Sequence, residues 1–566
     1  MVINLKRKII KASIIILIII ALFIFYLKPL NLSNINKNAQ ISILNDEDKE
    51  IINYINNHPT TPINIKKLST KNIDILLHIE DKTFYKHSGF NIQRIIKTLF
   101  TNIKNKQSHG ASTITQQYIK NLYLNNSKKI SRKLKELYYS IKLEQSLPKD
   151  KILEGYLNCI YFGNDIYGLN NASTYYFNKN YQELKTKEMI TLIALINAPS
   201  YYSTNIKEWN NKKNTLTEIL YKNNIISFLE YQEALKDITF NINNNIYPSN
   251  LLFFSDATFQ EFKKLKIESN FNEKITIKTK YNNKINSIKV NTTGNIASLA
   301  MNKDGYIISC IGDKEYTPFN IALQGKRDIG STIKPLLYYE ALKCGFSTNK
   351  TYISSPFSFN YKNEKITIKN YSTNYTYKPI NMKTALATSD NIYAIKTHID
   401  IGTKTLTNHL RKYGIITESL PSLALGSVGM SLYDLTRIYS QFFTEGKYLT
   451  LQFISSIIID NRTIYNTKPI IKILGNPKYF SKIKNIMDGI FDPSIPSATA
   501  KTIGPLLKTK CYGKSGLTDY DSYMIGFNDD ILIAVWSGHL NNDLLINPNI
   551  KRLPKEIFLK QINSIY

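Results

Sequence analysis

The chain has 566 residues, enough for two or three domains with proper cores. Its 73 Lys and Arg against 43 Asp and Glu leave a net charge of +30, which points to polyanionic partners. Nucleic acid is excluded, because the lysines are dispersed and no RNA- or DNA-binding motif is present.

Lys6, Arg7 and Lys8 precede an uncharged apolar run at 12–27. Ile9, Ile10 and Leu30 extend it to 9–30, near the ~20 residues of a spanning helix, and Lys11 can snorkel. The basic flank puts residues 1–8 in the cytoplasm and the rest outside. A cleaved signal peptide is the alternative, but no small-x-small site directly follows the run. Residues 33–45 are polar and Asn-rich and read as a stalk. A first domain at 46–205 has helical patterning over 92–102, 131–145, 149–157 and 184–196. Residues 206–285 read as a helix-containing connector. From 286 to 566 the pattern changes. Strands at 296–301 and 306–311 flank Asp304-Gly305, and strands at 522–527 and 531–537 flank residues 528–530, giving two hairpins. Cys159, Cys310, Cys344 and Cys511 form no C-x-x-C pair and read as buried free thiols, though an outside location permits a disulfide. No zinc-binding pattern is present, so no structural metal is expected.

The first domain carries four ordered strings. They are 80–90 (EDKTFYKHSGF), 110–117 (GASTITQQ) with Lys120-Asn121, 132–136 (RKLKE) and 151–158 (KILEGYLN). Glu80 beside Ile79 and Phe84 suits a general base with a raised pKa. Lys120, Arg132 and Lys133, with Lys128, suit a diphosphate clamp. Glu136 follows Arg132 by four residues and Lys133 by three, so the three share one helix face. These strings resemble the peptidoglycan glycosyltransferase family. The resemblance implies that Glu80 and Glu136 are catalytic, with Glu136 acting at the leaving phosphate. It places Asp81, His87, Ser112, Thr113, Gln117, Lys120, Lys128, Arg132, Lys133 and Asn158 at the substrate. His87 reads equally as a satisfied structural histidine. Asn178 stands where the family has Gly, which implies a changed loop.

Three more strings follow in the second half: Ser331-Thr332-Ile333-Lys334, Ser389-Asp390-Asn391 and Lys514-Ser515-Gly516. Pro335 fits a first helical turn, so a helix should begin at about Ser331, with the serine N–H at its positive end. Lys334, three residues on, can reach the serine oxygen once burial and a neighbouring cation, Lys514, lower its pKa. Phe319-Asn320, Arg327 and 330–335 (GSTIKP), then 386–391, the glycine turn at 423–427, and 513–516 with Asp521 and Gly526, resemble penicillin-binding transpeptidases of the KSG type. The resemblance makes Ser331, Lys334, Ser389 and Lys514 catalytic, and Asn391, Ser515, Gly516 and Leu517 substrate-binding. Leu517 departs from the family's Thr or Ser, whose hydroxyl helps hold the substrate carboxylate. Its backbone N–H is kept.

Together these resemblances imply a class A penicillin-binding protein, a multidomain chain. A transmembrane helix would precede a mainly-α, lysozyme-like glycosyltransferase domain and an α/β, serine β-lactamase-like penicillin-binding domain with an antiparallel sheet. The implied reactions are inverting polymerisation of lipid II and D,D-transpeptidation through a serine acyl-enzyme. Rival functions are a lytic glycan-cleaving enzyme, or a C-terminal domain that binds β-lactams with weak activity. The implied partners are lipid II, nascent peptidoglycan, β-lactams, the bacterial cytoplasmic membrane and, as candidates, other cell-wall synthesis proteins. No cofactor is required, with Mg²⁺ at the diphosphate left open. Two geometries are expected. Glu80 and Glu136 should face one cleft but stand well apart. Ser331, Lys334, Ser389 and Lys514 should converge within hydrogen-bond reach.

Overall fold

The computed structural model describes residues 40–55, 57–94, 112–124, 130–269, 273–288, 292–371 and 375–566. The expected anchor at 9–30 and Lys128 lie outside them. No helix among the described residues is long and apolar enough to cross a membrane.

The chain enters as strand β1 (Gln40–Leu44), followed by β2 (Glu50–Ile55) and the short β3 (His58–Thr60). Part of the expected stalk is therefore a strand. Ile41 and Ile43 are the alternating apolar residues it buries. A helical unit follows. Helix α1 (Thr70–Glu80) is capped by Ser69, and α2 (Ile114–Tyr123) by a Thr113–Gln116 capping box. Helices α3 (Ile130–Ser146), α4 (Lys149–Cys159) and α5 (Thr186–Leu195) match the helical patterning. Only residues 92–94 of the expected 92–102 helix are described, and they are helical. Helices α6 (Ile206–Lys222) and α7 (Phe228–Leu235) come from the stretch read as connector. They bury Trp209, Leu216, Leu220 and Ala234 in the same core as Leu76, Ile119 and Leu153. The first half of that stretch thus belongs to the helical unit.

Helix α8 (Ser249–Lys264) and strand β4 (Ile275–Thr279) lead into the second unit. The hairpin of β5 (Asn295–Asn302) and β6 (Ile307–Ile311) turns at Gly305, as Asp304-Gly305 predicted. Then come α9 (Lys334–Lys343), α10 (Met382–Thr388), α11 (Asn391–Asp400), α12 (Leu432–Phe443) and the β7 (Ile454–Ile459)–β8 (Arg462–Asn466) hairpin. Strands β9 (Tyr512–Leu517), β10 (Asp521–Phe527) and β11 (Ile531–Gly538) precede the last helix, α13 (Pro548–Asn563).

These strands build two sheets. The five-stranded sheet runs β9-β10-β11-β5-β6, all antiparallel, with β9 at an edge. One face packs on α9 and α12, and the other is covered by α13 through Met524, Ile533, Val535, Ile557 and Phe558. The six-stranded sheet, β8-β7-β4-β1-β2-β3, joins the two units. Strand β1 pairs antiparallel with β2 and parallel with β4, while β4 pairs antiparallel with β7. Phe259 and Phe262 of α8 fill its buried face. Glu261 of α8 accepts the N–H groups of Phe453 (2.9 Å) and Ile454 (3.2 Å), fixing the entry to β7. All four cysteines are free thiols; Cys344 is exposed rather than buried.

Candidate active sites

The helical unit places Glu80 at the end of α1, buried at 5% exposure. Its carboxylate accepts from Gln117 Nε2 at 2.9 Å. The Tyr156 hydroxyl donates to Gln117 Oε1 at 3.1 Å, which fixes the amide with its NH₂ toward Glu80. Arg94 Nη1 donates to the Glu80 backbone carbonyl at 2.7 Å. Burial raises the Glu80 pKa, partly offset by the Gln117 bond and by the charges of Arg94 and Lys212.

Asp81 is buried beside it. Asp81 Oδ2 lies 2.9 Å from His87 Nε2 and accepts the N–H of Ile114, the first residue of α2, at 3.1 Å. A carboxylate there is favoured by the helix dipole. His87 Nδ1 accepts from Gly89 N at 3.2 Å, and Thr113 Oγ1 donates to the Gly89 carbonyl at 2.7 Å. Asp81, His87 and Thr113 thus hold the 87–89 turn against α2. Asn158 also supports backbone, accepting from Ile63 N at 2.8 Å.

The expected cationic cluster forms on α2 and α3. Arg132 and Lys133 both reach the buried Glu136 carboxylate, and Lys133 Nζ also donates to Ser112 Oγ at 2.7 Å. Lys120 is half-buried. Its amine is pulled down by burial and by Arg132 and Lys133, while Glu136 pulls it back up. Among the described residues no hydrogen bond joins Glu80 to Glu136. Each has its own partners on different helices. Among the described residues no group of three or more His, Cys, Asp or Glu is placed to hold a metal ion.

The second site lies between the five-stranded sheet and helices α9 to α11, in a cleft of about 820 Å³ lined by Ser331, Ser389, Asn391, Ser515 and Leu517. A 3-10 turn, Gly330–Ile333, carries Ser331 into α9, so the α-helix begins at Lys334 rather than at about Ser331, with Pro335 in its first turn as expected. Lys334 is fully buried. Its Nζ donates to the carbonyls of Ser389 (2.7 Å) and Asp390 (3.3 Å), to Asn391 Oδ1 (2.8 Å) and to Ser389 Oγ (3.4 Å). Ser389 adopts φ 59°, a left-handed backbone that turns its hydroxyl between two amines. The other amine is Lys514, whose Nζ donates to Ser389 Oγ at 3.0 Å and to the Ser515 carbonyl at 2.7 Å. Burial lowers Lys334 to about 7, against a smaller upward pull from Asp390. Lys514 is lowered well below the ordinary lysine range by burial, then by Lys334 and Lys555.

The convergence is complete for Lys334, Ser389 and Lys514, but not for Ser331. The Ser331 hydroxyl has no hydrogen-bond partner among the described residues, because Lys334 spends its donors on the Ser389–Asn391 turn. Asn391 is held on both sides, since its Nδ2 donates to the Lys369 carbonyl at 3.0 Å.

Three supports were not singled out by the sequence as such. Asp390 caps α11 through Tyr393 N (2.7 Å) and accepts from Asn370 Nδ2 at 2.8 Å. Gly426, at φ +86°, lies so close to the Ser331 turn that a Cβ would sit 1.9 Å from the Gly330 carbonyl oxygen. Arg327 Nε donates to Asp521 Oδ1 at 2.8 Å, and Trp536 Nε1 donates to the same oxygen at 2.8 Å, tying that turn to the sheet. Arg327, Asp521 and the glycine turn were visible as strings. Their joint task is visible only in three dimensions.

Just past β9, the Thr518 N–H donates to the Asp521 carbonyl at 2.9 Å. Backbone groups alternate along a strand, so the Leu517 N–H points to the open edge.

Comparison with known proteins finds two family domains in the chain. Residues 47–222 match the Transglycosylase family model, and residues 295–523 match the penicillin binding protein transpeptidase domain. The chain is 33% identical over 523 residues to penicillin-binding protein 2D of Bacillus subtilis, covering 87% of this chain and 76% of that one. It is 28% identical to penicillin-binding protein 1B of Buchnera aphidicola subsp. Baizongia pistaciae, covering 83% of this chain and 68% of that one. The fold is similar to the crystal structure of penicillin-binding protein 1A from Haemophilus influenzae, with TM-score 0.57 and 15% identity over 93% of this chain and 92% of that one. The chain therefore belongs to the class A penicillin-binding proteins and is a bifunctional enzyme, a peptidoglycan glycosyltransferase joined to a transpeptidase.

Proposed function

We propose that the first site polymerises lipid II with inversion and that the second cross-links stem peptides by D,D-transpeptidation. The supporting observation is that each half holds a buried base beside fixed polar partners: Glu80 on Gln117, and Lys334 beside Ser389 and Lys514.

In the first reaction Glu80 takes the proton of the acceptor hydroxyl. That oxygen attacks the anomeric carbon of the donor, and the bond to the lipid diphosphate breaks in the same displacement. Lys120, Arg132 and Lys133, with Lys128, take up the charge of the leaving diphosphate. Glu136 holds Arg132 and Lys133 in place. Mg²⁺ at the diphosphate would add positive charge to a site that already has it.

In the second reaction neutral Lys334 accepts the Ser331 proton. For this its amine must turn from the Ser389–Asn391 acceptors toward Ser331. Ser331 Oγ attacks the penultimate D-Ala carbonyl, with the Ser331 and Leu517 N–H groups facing the oxyanion. Ser389 passes a proton to the departing D-Ala amine, and an amine of a neighbouring stem then takes the acyl group. Asn391 binds the peptide, and Lys514 with Ser515 faces its carboxylate. β-Lactams acylate Ser331 by the same route. Residues 9–30 anchor the chain in the cytoplasmic membrane, with both sites outside.

The test follows glycan length and cross-linking from lipid II, with and without a β-lactam. Polymer in both arms and cross-links only in the untreated arm is the expected result. Absence of polymer, or cleavage of preformed glycan, would overturn the first half. Cross-links that persist with β-lactam would overturn the second.

A further inference from the structure

Alternation along β9 puts Lys514 and Gly516 on one face and Ser515 and Leu517 on the other. Lys514 reaches Ser389, and a Cβ on Gly516 would touch Thr332, so the first face looks toward the Ser331 turn. The second face looks toward α13. Leu517 is paired with Ser522, and Ser522 Oγ donates to the Lys551 carbonyl at 2.8 Å, which sets α13 level with Leu517 at Lys551. At the other end a Cβ on Gly526, the partner of Gly513, would touch Phe558. The helix therefore runs antiparallel to β9. Lys555, one turn beyond Lys551, lies level with Ser515.

Lys551, Arg552 and Lys555 line the transpeptidase cleft together with Ser515 and Leu517. Lys551 reaches across to Tyr371, its Nζ 3.4 Å from the Tyr371 hydroxyl. Arg552 and Lys555 form no ion pair among the described residues. Burial, then Arg552, lowers the Lys555 amine, and no carboxylate offsets this. The Lys555 charge also acts on Lys514. Positive charge thus gathers on the outer side of the edge strand, where the Leu517 side chain offers no hydrogen bond; Asp519 also lines the cleft but forms no ion pair with Arg552 or Lys555 among the described residues.

We infer that Arg552 and Lys555 form an anion subsite that holds the C-terminal carboxylate of the acyl-donor peptide, the task Leu517 cannot perform. This rests on the transpeptidation proposed above. A free carboxylate entering along β9 completes the unpaired cations, and a donor without that charge gains nothing from them.

The test uses the full-length protein and two probes, benzylpenicillin and its uncharged methyl ester. Arg552→Gln/Lys555→Gln should slow acylation by benzylpenicillin about 10- to 100-fold and change the slower reaction with the ester far less, by no more than the altered Lys514 amine allows. Lys555→Arg should keep most of the wild-type rate. A D-Ala-D-Ala pentapeptide with a free or amidated C-terminus separates this carboxylate from others on the stem, and the free peptide should respond far more to the double substitution. Equal losses on charged and uncharged probes, or no loss on either, would overturn the inference. Wild-type protein that is not acylated at Ser331 would instead overturn the transpeptidase reading. Retained lipid II polymerisation and an unchanged unfolding midpoint exclude misfolding.

Discussion

Lys514 donates to the Ser389 hydroxyl at 3.0 Å from a strand 125 residues away in sequence. With Lys334 on the other side at 3.4 Å, one hydroxyl sits between two buried amines. Protonating both would place two desolvated charges side by side, so the site favours one neutral amine. Lys514 is lowered by burial and then by the Lys334 charge, while Lys334 is itself lowered by burial.

The pH dependence of acylation follows. Lys334 is effective when neutral, and its folded-state pKa is lowered to about 7 by burial. The rate of β-lactam acylation should rise with pH through about 7 and level off above it. The sign is that of a depressed base: protonation at lower pH removes the acceptor for the Ser331 proton. Stopped-flow acylation over roughly two pH units either side of that midpoint checks this. A rate that falls with rising pH across that window would reverse the assignment.

Glu80→Gln should cut polymerisation by about 10²–10⁴-fold, the usual contribution of general acid–base catalysis, and leave fluorescent-penicillin labelling of Ser331 intact. The substituted amide still fits beside Gln117 but cannot take a proton. Glu80 has a raised pKa, so wild-type polymerisation should fall on acidification already above the ordinary carboxylate range. Loss of labelling in a folded Glu80→Gln protein would mean that the two sites are not separate.

Leu517→Thr should speed acylation by a carboxylate-bearing β-lactam, because one hydrogen bond to a charged group is worth about 1.5–3 kcal/mol at most. The Leu517 N–H is unchanged by the substitution, so a gain reports carboxylate binding. In the Arg552→Gln/Lys555→Gln background the gain should be larger than in wild type. An unchanged or slower rate in both backgrounds would mean that this leucine is no defect.

Gly426→Ala should lower acylation and stability together. The new Cβ would overlap the Gly330 carbonyl oxygen at a φ of +86°, where a side chain costs about 1–3 kcal/mol before any clash. Penicillin labelling and the unfolding midpoint both read this out, and glycan polymerisation serves as the control. Wild-type labelling would show that the Ser331 turn can shift without penalty.

Much of the chemistry was legible because catalytic strings are local. Ser331, Lys334 and Pro335 announce a helix start, and Arg132, Lys133 and Glu136 announce one helix face, and both formed. What stayed hidden was non-local. Strand β1 pairs with β4 more than 200 residues away, and no periodicity encodes a partner at that distance. Helices α6 and α7 looked like a polar connector because their few large apolar residues, such as Trp209 and Leu220, are spread thinly along a charged surface. Lys555 carried no signal, since a lysine on a C-terminal helix gives no hint that its neighbour in space is β9. Ser331 failed to meet Lys334 because Ser389, Asp390 and Asn391 offer more acceptors than one hydroxyl does.

The six-stranded sheet has a mechanical meaning. Strand β1 is the first described element after the apolar segment, and it is bonded along one edge to β2 and along the other to β4. Tension applied at Gln40 therefore loads both rows of hydrogen bonds lengthwise, so they share the force instead of opening one at a time. A pull from that end would move both catalytic units as one load, because β2 leads into the first unit and β4 into the second.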